Sequence, residues 1–246
     1  MTFRFIFKVV ICVTALSFIK LAQAQEVRFA TDNNHVPFSY MQDGKINGFD
    51  VDLWDAIARD MGVKYKVTPM DFSTIMSDVH IGQIDVAMAG LAITRTRTNV
   101  VDFSKPYYAG GLILLVRNDS NIKSIDDLKE KTIAIKNGTS AFPYAIEHLP
   151  NTERRLYSEI DGAFKDLLEG NVDAVLYDTP ALLNYAATTG KGKVKTVGDD
   201  LEQQNYGAAF PQGSQLVTRY NTALDHLKEN GTYATIYKKW FGIDPH

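Results

Sequence analysis

The residues best suited to chemistry in this chain of 246 residues lie in one stretch, Ala87-Met88-Ala89-Gly90-Leu91-Ala92-Ile93-Thr94-Arg95-Thr96-Arg97. A short apolar run, Ile84 to Met88, enters a glycine turn, and the turn enters Thr94, a helix-capping residue type, with Arg97 three residues later. Strand ends and helix N-termini present unpaired backbone donors, and a guanidinium is a planar fork matched to a carboxylate. The stretch reads as an anion-binding corner, although a solvated helix arginine is the commoner meaning of such a sequence. Three more charged residues follow apolar β-rich runs: Asp32 after Val27 to Thr31, Lys136 after Thr132 to Ile135, and Asp178 after Val172 to Tyr177. Each has a local explanation, Asp32 as a turn former, Lys136 as a solvated strand end and Asp178 as a cap before Thr179-Pro180. Together they are two cations and two anions at strand ends, the charges a small zwitterion needs.

Other chemistries find little support. The chain has no Gly-x-Ser-x-Gly elbow and no phosphate-binding glycine loop, and Gly190-Lys191-Gly192 lacks the third glycine of a dinucleotide site. Histidines 35, 80, 148, 226 and 246 show no metal-ligand spacing, so neither a metal nor a cofactor is expected. Trp54 and Trp240 fall on helical segments and read as core anchors, and Lys238-Lys239 suits the end of the last helix.

The elements that must position these charges alternate between short β-rich runs and helices. Val27 to Thr31, Tyr65 to Thr68 and Ile84 to Met88 read as strands, with helices over Phe49 to Met61 and Ser73 to His80 between them. A second alternation runs from Ser124 to Val197, with strands at Thr132 to Ile135, near Arg155 to Tyr157, at Val172 to Tyr177 and at Val194 to Val197. Such order predicts largely parallel sheets with helices on both faces, and ligands beyond the carboxyl ends of the strands. The helices at Gln215 to Glu229 and Thr232 to Trp240 have no strands of their own, so the chain is expected to return to the first unit. It crosses near Tyr108 to Gly111 and comes back near Glu202 to Tyr206, two strands that form a hinge.

Arg4 and Lys8 precede an apolar run from Val9 to Ile19 that ends in Leu21-Ala22-Gln23-Ala24, the pattern of a secretory signal cut after Ala24. The run is shorter than the roughly 20 apolar residues of a membrane span. The single cysteine, Cys12, lies inside it, so the exported chain has no disulfide, thiol or cysteine metal site. Removal of Arg4, Lys8 and Lys20 leaves 23 basic residues (26 − 3) against 29 acidic ones, a net charge of −6. That balance argues against nucleic acid or an anionic membrane surface as partner.

From Val27 to the C-terminus the chain resembles the periplasmic solute-binding proteins of ABC importers for polar amino acids, most of all their glutamine-binding members. The resemblance rests on Gly48-Phe49-Asp50-Val51-Asp52-Leu53-Trp54, Pro69-Met70-Asp71-Phe72-Ser73, Asp102-Phe103-Ser104, Asp178-Thr179-Pro180 and Glu229-Asn230-Gly231-Thr232-Tyr233, with Ile236 to Gly242. It implies an α/β fold of the two-lobe periplasmic binding protein type II, with two hinge strands, closing on its ligand. The implied boundaries are a signal peptide at 1–24, a large lobe at 25–107 and 206–246, and a small lobe with the hinge strands at 108–205. The implied partners are an L-amino acid and a membrane permease, for a periplasmic monomer that is not an enzyme.

Carried over by matched position, Arg97 grips the ligand α-carboxylate and Asp178 its α-ammonium. Ala89, Gly90, Thr94 and the Gly138-Thr139-Ser140 turn assist, and Phe72 forms an apolar wall. Asp32 and Lys136 meet the side-chain end, where a primary amide offers donors to a carboxylate and an acceptor to an ammonium. Glutamine satisfies that pair, whereas glutamate, arginine or lysine would each bring a like charge into a closed site. The glutamine-binding pattern has an aromatic residue, a hydroxyl, a glycine and a histidine where this chain has His35, Ala92, Ser140 and Tyr177. Those departures leave asparagine, glutamate, histidine or another polar amino acid open as ligand. His35 also introduces a proton switch near pH 6 to 7. The alternative function is an exported enzyme on the same scaffold resembling cyclohexadienyl dehydratase, which needs an acid placed to protonate a leaving hydroxyl.

Overall fold

The computed structural model describes residues 26–245. The expected signal peptide and Cys12 lie outside the described residues. Two sheets form the centres of two lobes. In the first, Val27–Asp32 lies between Tyr65–Met70 and Val86–Ala87, parallel to both, and the sheet continues through Ala209–Phe210 to Asp102–Phe103. In the second, the order is Glu153–Tyr157, Thr132–Lys136, Ala174–Asp178, Tyr108–Arg117 and Val194–Val197.

Both sheets are mixed, which corrects the expectation of largely parallel ones. Ala209–Phe210 is antiparallel to both neighbours, and so is Tyr108–Arg117. The physical reason is the crossing itself, because a strand that arrives directly from the other lobe needs no helical crossover and runs against its neighbours. Tyr108–Arg117 does two jobs along its 10 residues. Its first part, Tyr108 to Gly111, pairs with Gln203–Tyr206, and its second part is buried inside the second sheet. These paired segments are the two hinge strands.

Each sheet is covered on both faces, so each lobe buries two apolar layers. One layer of the first lobe packs Phe29, Trp54, Tyr220 and Tyr237 between the sheet and the helices Phe49–Met61, Leu216–Glu229 and Thr232–Phe241. The other packs Phe72, Ile75 and Leu91 beneath the helix Phe72–His80. In the second lobe, Leu115, Phe164 and Leu182 face the helices Ile160–Glu169 and Thr179–Ala187, while Leu114, Ile133 and Leu176 face Ala141–His148. The terminal helices do return to the first lobe, where Trp54 is wholly buried and Trp240 instead donates from its indole N–H to Asp52 at 2.7 Å.

The sequence reading missed a small antiparallel sheet, Asn34–His35, Ser39–Gln42 and Lys45–Asn47. Its second turn carries Asp43-Gly44, both at positive φ (51° and 72°), the backbone that lets two strands reverse tightly. This sheet fixes the loop that carries Asn34 and His35 over the cleft.

Candidate functional site

Asp32, Lys136 and Asp178 are each the last residue of a strand, Val27–Asp32, Thr132–Lys136 and Ala174–Asp178. The first lobe supplies Asp32, the second supplies Lys136 and Asp178, and the three meet across the cleft. Lys136 is not a solvated strand end. Its Nζ donates to Asp32 Oδ2 at 2.6 Å and to the Asn34 carbonyl at 3.1 Å, and both side chains of the pair are 0% exposed. Asp32 is a turn former as well, since its Oδ1 accepts from the Asn34 N–H at 3.1 Å.

Asp178 stands at the N-cap of Thr179–Ala187, yet its side chain makes no capping hydrogen bond. Its Oδ2 lies 3.1 Å from His35 Nε2 in the opposite lobe, an approach without hydrogen-bond alignment. The His35 ring packs between Phe38 and Tyr177, with centroids at 4.9 and 5.4 Å, and its Nδ1 lies 3.1 Å from the Ala89 carbonyl. Burial pulls the imidazole pKa down, but Asp178 and Asp32 outweigh it and leave it above its ordinary 6.5. Gly90 has φ 59°, and a Cβ there would sit 2.5 Å from the His35 ring, so glycine is what allows the histidine to enter the cleft. The Gly90 N–H donates to buried Asp50 at 2.8 Å, and burial pushes that carboxyl up to about 7.

Thr94 caps the short helix Arg95–Thr98 by accepting from the Arg97 N–H at 3.3 Å, as its residue type suggested. Arg97 is half-buried, and its two terminal nitrogens donate to the carbonyls of Ala92 (2.8 Å) and Gly138 (3.0 Å), the latter in the other lobe. Its guanidinium carbon lies 5.6 Å from the Phe72 ring centroid, and Lys136 Nζ lies 5.6 Å from the same ring. Phe72 is therefore the apolar surface between two cations. Loss of solvent lowers the Arg97 pKa to about 10, which leaves it charged at neutral pH.

The remaining expected residues divide by what occupies them. Thr139 donates to the Lys136 carbonyl at 2.8 Å, and Ser140 donates to Gln204 of the returning hinge strand at 2.8 Å. Ala92 is buried and bridges to Tyr206 of that strand. Tyr177 is buried, and its hydroxyl finds no hydrogen-bond partner among the described residues. Beside His35 and Tyr177 a cavity of about 540 Å³ lies between the lobes, lined also by Asn34, Tyr40, Asp161 and Phe164.

Asn34, Asp50, Glu159 and Gln204 are site neighbours that sequence reasoning did not single out. Glu159 directly precedes the helix Ile160–Glu169, makes no capping bond, and places Oε2 3.6 Å from Lys136 Nζ. It follows the strand Glu153–Tyr157, so the same rule that located the other charges, attention to strand carboxyl ends, reaches this one too. Among the described residues no cluster of side chains suits a metal ion, and no helix is long and apolar enough to cross a membrane.

The arrangement can hold a small molecule with charges of both signs between two lobes. The family model for bacterial extracellular solute-binding proteins, family 3, matches residues 27–243. The L-cystine-binding protein TcyJ of Escherichia coli (strain K12) is 30% identical over 217 residues, covering 87% of this chain and 81% of that protein. Among solved structures, the arginine-, lysine-, histidine-binding protein ArtJ of Geobacillus stearothermophilus aligns with TM-score 0.85 and 33% identity, over 90% of this chain and 97% of that one. An ancestral arginine-binding protein bound to glutamine aligns with TM-score 0.84 and 37% identity, over 89% and 98% of the two chains. With a family model spanning nearly all described residues and a two-lobe α/β fold shared with these structures, the chain belongs to family 3 of the bacterial extracellular solute-binding proteins.

Proposed function

We propose that the protein is a periplasmic receptor that closes over a polar L-amino acid, glutamine first, and presents it as a monomer to an ABC importer. One observation carries this reading: charges of opposite sign from the two lobes converge in one cleft, Asp32 with Lys136 at 2.6 Å and His35 with Asp178 at 3.1 Å. The membrane partner and the export by a cleavable signal follow from the family and from the N-terminal sequence pattern. Residues 108–205 form the lobe that moves, with Tyr108 to Gly111 and Gln203–Tyr206 as its hinge.

In this reading Arg97 receives the α-carboxylate. Its fork already spans two carbonyls, so an incoming carboxylate gives it a charged acceptor in place of neutral ones. Asp178 receives the α-ammonium in exchange for the loose His35 contact. A ligand held in the closed cleft would then replace two contacts between the lobes by stronger contacts to itself, and the importer would read the closed surface. The relatives named for arginine, lysine and cystine support the class of ligand. The ancestral arginine-binding relative bound to glutamine supports a neutral polar side chain as a ligand of this fold.

The test is calorimetry or thermal shift of refolded, ligand-stripped protein against the common L-amino acids. A ligand at 1,000 times its dissociation constant adds about 4 kcal/mol of stability. Glutamine is expected to give the largest shift. A largest shift with arginine would overturn glutamine and keep the receptor, while no shift with any amino acid overturns the receptor.

A further inference from the structure

We infer that the end of the ligand side chain is read by Glu159 and Tyr177, and not by the Asp32–Lys136 pair. The inference rests on the amino-acid receptor reading and changes which residues set its specificity. Asp32 and Lys136 are committed to each other. At 2.6 Å and with both side chains out of contact with solvent, their charges neutralise one another, and Lys136 gives a second hydrogen to the Asn34 carbonyl. Asp32 spends its other oxygen on the Asn34 N–H. Separating such a pair to engage a neutral amide exposes two buried charges to a weaker partner, an exchange that costs several kcal/mol.

Two polar atoms in the same region have no hydrogen-bond partner among the described residues. Glu159 Oε2 is shut off from solvent, 3.6 Å from Lys136 Nζ, and has no hydrogen-bond partner among the described residues. The Tyr177 hydroxyl is equally buried and equally without one. Its pKa lies well above the ordinary value, first from burial and then from Asp178, Asp32 and Glu159, so it stays protonated and keeps a hydrogen to give. Buried polar atoms without partners are uncommon in folded proteins, and where they face a binding cleft a ligand is the natural partner.

The two atoms are complementary in kind. Glu159 Oε2 accepts and Tyr177 Oη donates, which matches the N–H and C=O of a carboxamide. Glu159 also sets a charge condition. Beyond the neutral Asp32–Lys136 pair it is a surplus negative charge, so a side chain that ends in a hydrogen-bond donor is accepted and one that ends in a carboxylate is repelled. Glutamate is thereby disfavoured by the surplus charge of a cluster in which one cation, Lys136, faces Asp32 at 2.6 Å and Glu159 at 3.6 Å.

Affinities for glutamine, glutamate and arginine by titration calorimetry at pH 7.5, in wild type, Glu159→Gln, Tyr177→Phe and Asp32→Asn, test this. Glu159→Gln is expected to lower the glutamine-to-glutamate affinity ratio by about 10- to 100-fold, the worth of one charged hydrogen bond. Tyr177→Phe is expected to weaken glutamine by about 3- to 10-fold. Asp32→Asn should weaken all three ligands together. If Glu159→Gln leaves the ratio unchanged while Asp32→Asn shifts it, the buried pair reads the side chain and the inference is overturned. A wild type that prefers arginine, and loses that preference in Glu159→Gln, removes glutamine but retains Glu159 as the acceptor. Failure of wild type to bind any amino acid is the separate failure of the receptor reading.

Discussion

The cleft carries one cation–anion pair at each end, Asp32 with Lys136 (Glu159 beside them) and Arg97 with Asp178, and uses the two pairs differently. At one end Asp32 and Lys136 form a fully buried ion pair at 2.6 Å with every strong hydrogen-bonding atom engaged. At the other, Arg97 is half-buried on neutral carbonyls and Asp178 touches His35 at 3.1 Å without alignment. A buried pair is a latch between lobes, stabilising chiefly because breaking it strands a charge. Underused charged groups are where a ligand gains most, because each new charge-assisted bond replaces a weaker one.

That contrast can be broken at several points. The largest expected effect is Arg97→Ala, which should weaken every amino acid by at least about 100-fold, since a bidentate charged contact is lost. A selective loss, with some ligands spared, would show that Arg97 does not hold the common α-carboxylate. Next is Lys136→Ala, which leaves Asp32 alone in the closed cleft. The expected result is destabilisation of about 3 kcal/mol in denaturant titration and a more open particle in small-angle scattering, with Asp32→Leu/Lys136→Met recovering most of the loss. An unchanged scattering profile in Lys136→Ala would mean the pair is no latch.

A smaller effect separates the ends by pH. The His35 pKa is raised in the folded state above 6.5, so its contribution to stability is complete below that value and is lost as pH rises through the folded pKa. Asp50, pushed up to about 7 from 3.8, gives a slope of the same sign beginning at lower pH. The histidine part is therefore the difference between wild type and His35→Gln in melting curves above pH 6.5. Wild type should lose stability more steeply there, and identical slopes would mean that His35 does not charge against Asp178. The smallest effect on stability is Thr94→Ala, about 0.5 kcal/mol in denaturant titration for the lost cap of a one-turn helix.

Much of the cleft was legible before any fold was known. Asp32, Lys136 and Asp178 stood out because apolar β-rich runs ended on them, and the strands end on those residues. Their local readings fared unevenly. The turn role of Asp32 proved compatible with its cleft role, whereas Asp178 in the cap position makes no cap bond at all. Glu159 went unread because it stands two residues past the end of the strand Glu153–Tyr157, whereas Asp32, Lys136 and Asp178 are themselves the last residues of their strands. His35 was noticed, but its contact was not, because nothing local to residues 34 to 36 indicates which carboxylate lies across the hinge.

The sequence by itself determined the alternation of strands and helices, the return of the terminal helices to the first lobe, and which charged side chains sit at strand ends. Those follow from periodicity and from chain-local geometry, where neighbours in sequence are neighbours in space. Only the tertiary structure decided which of those charges neutralise one another and which keep unused hydrogen-bonding capacity. Asp32 and Lys136 are 104 residues apart, and their 2.6 Å contact exists only because two lobes close on two hinge strands. Pairing across such a distance is set by the rigid-body relation of the lobes, which no local pattern encodes.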